Sequence, residues 1–75
     1  LDRIDEAIAA NEGMLDDPLL VAEAEHNLAI LYDRYRPDPP RALAYYESTL
    51  RRAPDRSDAA EVRGRIQTLR KQLGR

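Results

Sequence analysis

The chain has 75 residues, no cysteine and a formal net charge of −2. That length is one domain at most, near the size where a single core becomes marginal, and nothing covalent staples it. The charge gives no overall pull toward nucleic acid, and the apolar runs fall far short of the roughly eighteen residues that span a bilayer.

Alanine, leucine and arginine are abundant and β-branched residues few, which is helical composition. The charge is lopsided: residues 1–50 carry eleven acids and four bases, while residues 51–75 carry eight bases and three acids. The chain opens on Leu1 rather than Met, which reads as a piece of a longer protein. A cysteine-free sequence suits cytoplasm and periplasm alike, so the compartment stays open.

Residues 1–14 are predicted helical, with Leu1, Ile4, Ile8 and Leu15 on one face. Asp16-Asp17-Pro18 marks a stop and a restart, with Asp17 as cap of the next helix. From there Val21, Ala24, Leu28, Leu31, Tyr32 and Tyr35 form an apolar stripe to about Arg36, and Glu23, Glu25 and Asp33 fall off it. Pro37-Asp38-Pro39-Pro40 breaks the chain, and Asp38 is predicted to cap a third helix whose inner face is Ala42, Leu43, Tyr46, Leu50 and Ala53. Tyr45, next to the inward Tyr46, is expected outward or at a flank. Pro54 ends that helix. Ser57 or Asp58 is the predicted cap of the last one, Asp58 and Glu61 having capping-box spacing; Ala59, Val62, Ile66, Leu69 and Leu73 are its stripe and Gly74 its terminator.

Within residues 19–54, Leu28, Ala29 and Tyr32 precede Ala42, Tyr46 and Pro54. Their order and most spacings resemble the tetratricopeptide repeat, W-x2-L-G-x2-Y…A-x3-F…P. Glu25 stands where that repeat has tryptophan, and the loop before Ala42 is one residue longer. A weak echo at a shift of 35 sets Asp5-Glu6-Ala7-Ile8 against Pro40-Arg41-Ala42-Leu43, so residues 1–15 read as the second helix of a truncated repeat. A shift of 34 sets Leu28 on Val62 and Tyr32 on Ile66, but Ala29 on Arg63; a charged residue at the close-contact position makes residues 57–73 a solvating cap.

The fold expected is therefore all-α: one domain over residues 1–75, antiparallel hairpins stacked as a short right-handed superhelix, closed by a C-terminal capping helix. The resemblance implies non-catalytic protein–protein interaction through a groove lined by first helices. Carried over, that face is Glu23, His26, Asn27, Ile30, Asp33 and Arg34, continued on the cap helix by Ala60, Gln67 and Thr68. The expected partner is another protein or an extended or helical peptide segment.

Two rival uses stay open. One is self-association, through an apolar edge at Leu1, Ile4 and Ile8 or between acidic front and basic back. The other is a nucleic-acid contact by Arg51, Arg52, Arg56, Arg63, Arg65, Arg70 and Lys71, which the lack of aromatic residues after Tyr46 disfavours. No catalytic residue, cofactor or metal site is expected. Ser48, Thr49, Ser57 and Thr68 have no base at a readable spacing, and Glu23 with His26 is half of a two-pair metal signature without its second half. His26 is expected to be exposed.

Overall fold

The computed structural model describes residues 2–75, and Leu1 lies outside them. The described residues form helices and connecting turns: α1 (Arg3–Glu12), α2 (Val21–Ile30), α3 (Pro39–Arg52) and α4 (Ala59–Gln72), with a π-helical turn, Leu31–Tyr35, continuing α2. None is long and apolar enough to cross a membrane.

The helix starts follow local chemistry. Asp2 caps α1 by accepting the Asp5 amide at 2.8 Å. The expected Asp17 cap of α2 is not formed: Leu20 stands at the cap position with no side-chain bond, and Asp17 holds the preceding turn instead, its Oδ1 accepting the Leu19 amide and its carbonyl the Val21 amide, each at 2.9 Å. Asp38 caps α3 with Pro39 at its first position, where no amide is needed. The expected capping box of α4 is not formed: Asp58 is the cap residue, but its carboxylate turns to Arg56 and His26 instead of the helix amides. At the far end Gly74 has φ +73°, and the Arg75 and Gly74 amides reach back to the Arg70 and Lys71 carbonyls at 2.7 and 3.1 Å, a Schellman closure.

The π turn is absent from the sequence pattern. The Arg36 amide donates five residues back to the Leu31 carbonyl at 2.8 Å, and the Asp38 amide caps the Tyr32 carbonyl at 2.8 Å. Arg36 itself leaves helical geometry because Pro37 follows it. Tyr32, four residues after the buried Leu28, is buried, whereas Tyr35, expected on the same stripe, ends the wider turn and is exposed.

The core joins Ile8, Leu28, Ala29, Tyr32, Ala42, Leu43, Tyr46, Val62, Ile66 and Leu69, with Ile4, Leu15, Leu50 and Leu73 packed around it. Of the stripes expected on the third and fourth helices, Ala42, Leu43, Tyr46, Ala59, Val62, Ile66 and Leu69 are buried and Leu50, Ala53 and Leu73 half-buried; Thr49 is buried as well, its hydroxyl donating to the Tyr45 carbonyl at 2.8 Å. Ile8 is buried and Ile4 half-buried, so the apolar edge expected at the front is spent within the chain, Leu1 excepted as undescribed. Tyr45 lies at a flank, stacked on Tyr32 with ring centroids 6.2 Å apart and planes 4° from parallel. Arg41 covers the Tyr32 ring at 5.4 Å and donates to its hydroxyl at 3.2 Å. α2 and α4 each pack on α3, and α1 packs on α2 and the π turn.

Candidate functional site: the cleft between α2 and α4

Because α2 and α4 lean on α3 from either side, a cleft opens between them. His26, Ile30 and Arg34 descend one face of α2 and its π turn; Asp58, Glu61, Val62 and Arg65 line α4; Tyr46 of α3 lies at the base. The i, i+4, i+8 spacing of the first three puts them on one helical side. Ile30, Val62 and the Tyr46 ring supply an apolar floor between charged walls of both signs. The cleft holds about 80 Å³, well below the roughly 300 Å³ at which small-molecule pockets begin. It suits a single side chain of a larger ligand.

At one end two lining residues, Tyr46 and Arg65, are bound to Asp33, an expected groove residue that lies outside the cleft lining. Asp33 accepts two bonds from Arg65, Nη2 to Oδ1 at 2.7 Å and Nε to Oδ2 at 2.9 Å, and one from the Tyr46 hydroxyl at 2.9 Å. Burial alone would raise the Asp33 carboxyl, but the bonds from Arg65 and Tyr46 outweigh it and hold it below the usual range. The same burial, with the bond to Asp33, pushes the Tyr46 phenol up to about 12. Asp33, expected off the apolar stripe, is thus inside, and Arg65, named above only as a candidate phosphate contact, is its partner.

The other end is set by His26. Its side chain is only 15% exposed, with Nε2 3.5 Å from Asp58 Oδ2, so the expected exposed histidine is not found. Its Nδ1 is buried without a hydrogen-bond partner. Burial, and then the Arg56 cation held on Asp58, keep His26 below its ordinary value against the opposing pull of Asp58 and Glu23.

The remaining expected groove residues are dispersed. Asn27 turns toward α1, donating to Asn11 Oδ1 at 3.1 Å. Glu23, Ala60 and Thr68 are exposed outside the cleft lining, the Thr68 hydroxyl donating to the Gly64 carbonyl at 3.1 Å. Gln67 faces a different hollow, with Leu50, Arg63, Ile66 and Arg70. Five lining residues were assigned other places from the sequence: Tyr46 and Val62 on core stripes, Asp58 and Glu61 in a capping box, and Arg65 among the basic residues of the last helix.

Part of the lopsided charge is used within the chain. Glu25, which is buried, pairs with Arg52; Asp33 pairs with Arg65; Glu47 pairs with Arg70 at 2.7 Å. Each joins an acid from the front to an arginine from the back, across two helices. Neither helix-internal pair, Glu47 with Arg51 or Glu61 with Arg65, forms: Arg51 bonds Ser48 and Arg65 bonds Asp33. Four of the seven basic residues considered for phosphate contact (Arg52, Arg56, Arg65 and Arg70) are thereby neutralised by carboxylates.

Among the described residues no three His, Cys, Asp or Glu side chains converge to hold a metal ion. The Tyr46 hydroxyl is committed to Asp33, and no serine, threonine or cysteine lines the cleft beside His26. The arrangement offers recognition chemistry: an apolar seat with a cation at one rim and an anion at the other. No family model matches the chain, and neither a curated protein nor a solved structure is similar to it at a significant level.

Proposed function

We propose that the chain is a tetratricopeptide-like interaction module that holds a segment of another protein across the α2–α4 cleft, without catalysis. The observation that carries this reading is the cleft itself: an apolar floor of Ile30 and Val62, sized for one side chain, between Arg34 and Glu61. A seat of that size fits one side chain of a peptide better than a whole small ligand.

The repeat-like stacking is supported by the α2–α3 contact, where Ala29 and Ala42 are both wholly buried and flanked by Leu28, Tyr32 and Tyr46. The one residue in excess of the repeat's spacing falls where the chain widens into the π turn. Residues 1–15 then stand as the second helix of a preceding, incomplete repeat. α4 serves as the cap, with Arg63 and Gly64 exposed on its outer face.

Selection of peptides from a random display library tests the reading. Peptides that bind the chain are expected to lose about tenfold or more in affinity with Arg34→Glu, an exposed change, and with Ile30→Asp. Recovered peptides that bind both variants undiminished would remove the cleft from the argument.

A further inference from the structure

Among the described residues the most exposed large apolar side chain is Leu19, at 92%, followed in the chain by Leu20 at 43%. Scattered surface leucines are ordinary. These two, however, are adjacent and presented on a stiff turn. Pro18 fixes one backbone angle, the Asp17 carboxylate holds the Leu19 amide, and the Asp17 carbonyl holds the Leu20 amide at 3.0 Å. A turn ordered before contact loses little entropy on docking. It carries negative charge, since Asp16 and Asp17 are exposed beside it.

A surface of matching character lies between α3 and α4, away from the cleft. Two adjoining hollows of about 300 and 220 Å³ share Leu50, Ile66 and Arg70; Arg51 rims the first and Arg63 the second. Arg70 is held by Glu47, the single acid of this rim. Arg51 bonds only the Ser48 hydroxyl, and Arg63 forms no ion pair among the described residues. The groove is thus apolar at its floor and cationic at its edge.

We propose that this groove receives the Leu19–Leu20 turn of a second copy of the chain, with Asp16 and Asp17 set against Arg51 and Arg63. The two faces differ, so the contact is heterologous and each copy keeps one free turn and one free groove. Copies add end to end unless the rotation closes a ring. The leucines give the contact a part that survives salt, and the carboxylate–arginine pairs a part that does not. The inference is independent of the α2–α4 cleft.

Sedimentation velocity over a wide concentration range tests it, with one variant for each face. Asp16→Lys with Leu19→Ser disables the docking face while leaving the Asp17 carboxylate that holds the turn; Arg51→Glu with Arg63→Glu disables the groove. All four positions are exposed, and thermal melts check that both variants fold. The wild-type average mass is expected to rise with concentration above the 8.6 kDa of one chain. Each variant alone is expected to stay at that mass. An equimolar mixture is expected to reach twice that mass and stop, because it contains one intact turn and one intact groove per pair. A wild type that stays monomeric throughout, a variant that associates as the wild type does, or a mixture that stays monomeric overturns the proposal. None of these substitutions touches Ile30 or Arg34, so either reading can fail alone.

Discussion

Asp33 and Arg65 meet through two parallel hydrogen bonds, 2.7 and 2.9 Å long, across the gap between the π turn and the middle of α4. The Asp33 side chain is only 5% exposed, so the guanidinium both ties the two helices and supplies the charge that burial demands. Removing one partner of a fully buried pair costs roughly 3–5 kcal/mol. Arg65 is 40% exposed, and water screens part of that, so about 2 kcal/mol is expected for Arg65→Met. In a chain this small that is a fall of about 10 °C in Tm. The double variant with Asp33→Asn is expected to lose less than the two singles together, because the stranded charge is gone. Strict additivity in the cycle would mean that the pair is uncoupled.

Stability is expected to depend on pH at both ends of the neutral range. His26 sits below its ordinary value when folded, because burial and then the nearby Arg56 cation disfavour its charged form. The unfolded chain takes up that proton below about 6.5, so stability is full above this pH and falls as pH drops through the window toward the folded value. The sign reverses for Tyr46. Its folded value is about 12 and an unfolded tyrosine ionises near 10, so stability is lost as pH rises between them. Urea midpoints across pH should show both slopes; His26→Gln should flatten the acidic one and Tyr46→Phe the alkaline one. Asp33, held low, adds a separate loss only in more acidic solution.

Glu25 illustrates a buried charge with one counter-ion. Arg52→Ala leaves it in place without its partner and is expected to cost about 2 kcal/mol. Glu25→Met, which fills similar volume without a charge, should be neutral or stabilising. Equal losses in the two chemical denaturation curves would show that the site needs the carboxylate itself.

The two C-terminal glycines should respond in opposite directions to alanine. Gly64 is in the exposed middle of α4 with nothing within 4 Å of an added methyl group, so Gly64→Ala should stabilise by about 0.5–1 kcal/mol. Gly74 holds the left-handed position of the Schellman closure at φ +73°, so Gly74→Ala should cost about 1 kcal/mol or fray the last turn. Thermal melts of both read the contrast.

The helix order, the Asp38-Pro39 start, the Ala53-Pro54 end and the buried faces of α3 and α4 are legible from residues alone. Caps, prolines and apolar periodicity act over about one helical turn, and each acts wherever the rest of the chain lies. Of the groove residues named from the repeat's pattern, His26, Ile30 and Arg34 share the cleft. Asn27 was drawn toward α1 by Asn11, and Gln67 was carried to another side of α4.

The charged interior was not legible. Periodicity assigns Glu25 and Asp33 to the surface because a carboxylate is costly to bury, yet each is compensated by an arginine 27 or 32 residues away. Nothing within one turn of either acid announces that partner; Glu61, four residues from Arg65, is the local candidate and lost to Asp33. The choice belongs to tertiary structure because ion-pair energy depends on separation and desolvation, and both are set only once α2, α3 and α4 have packed.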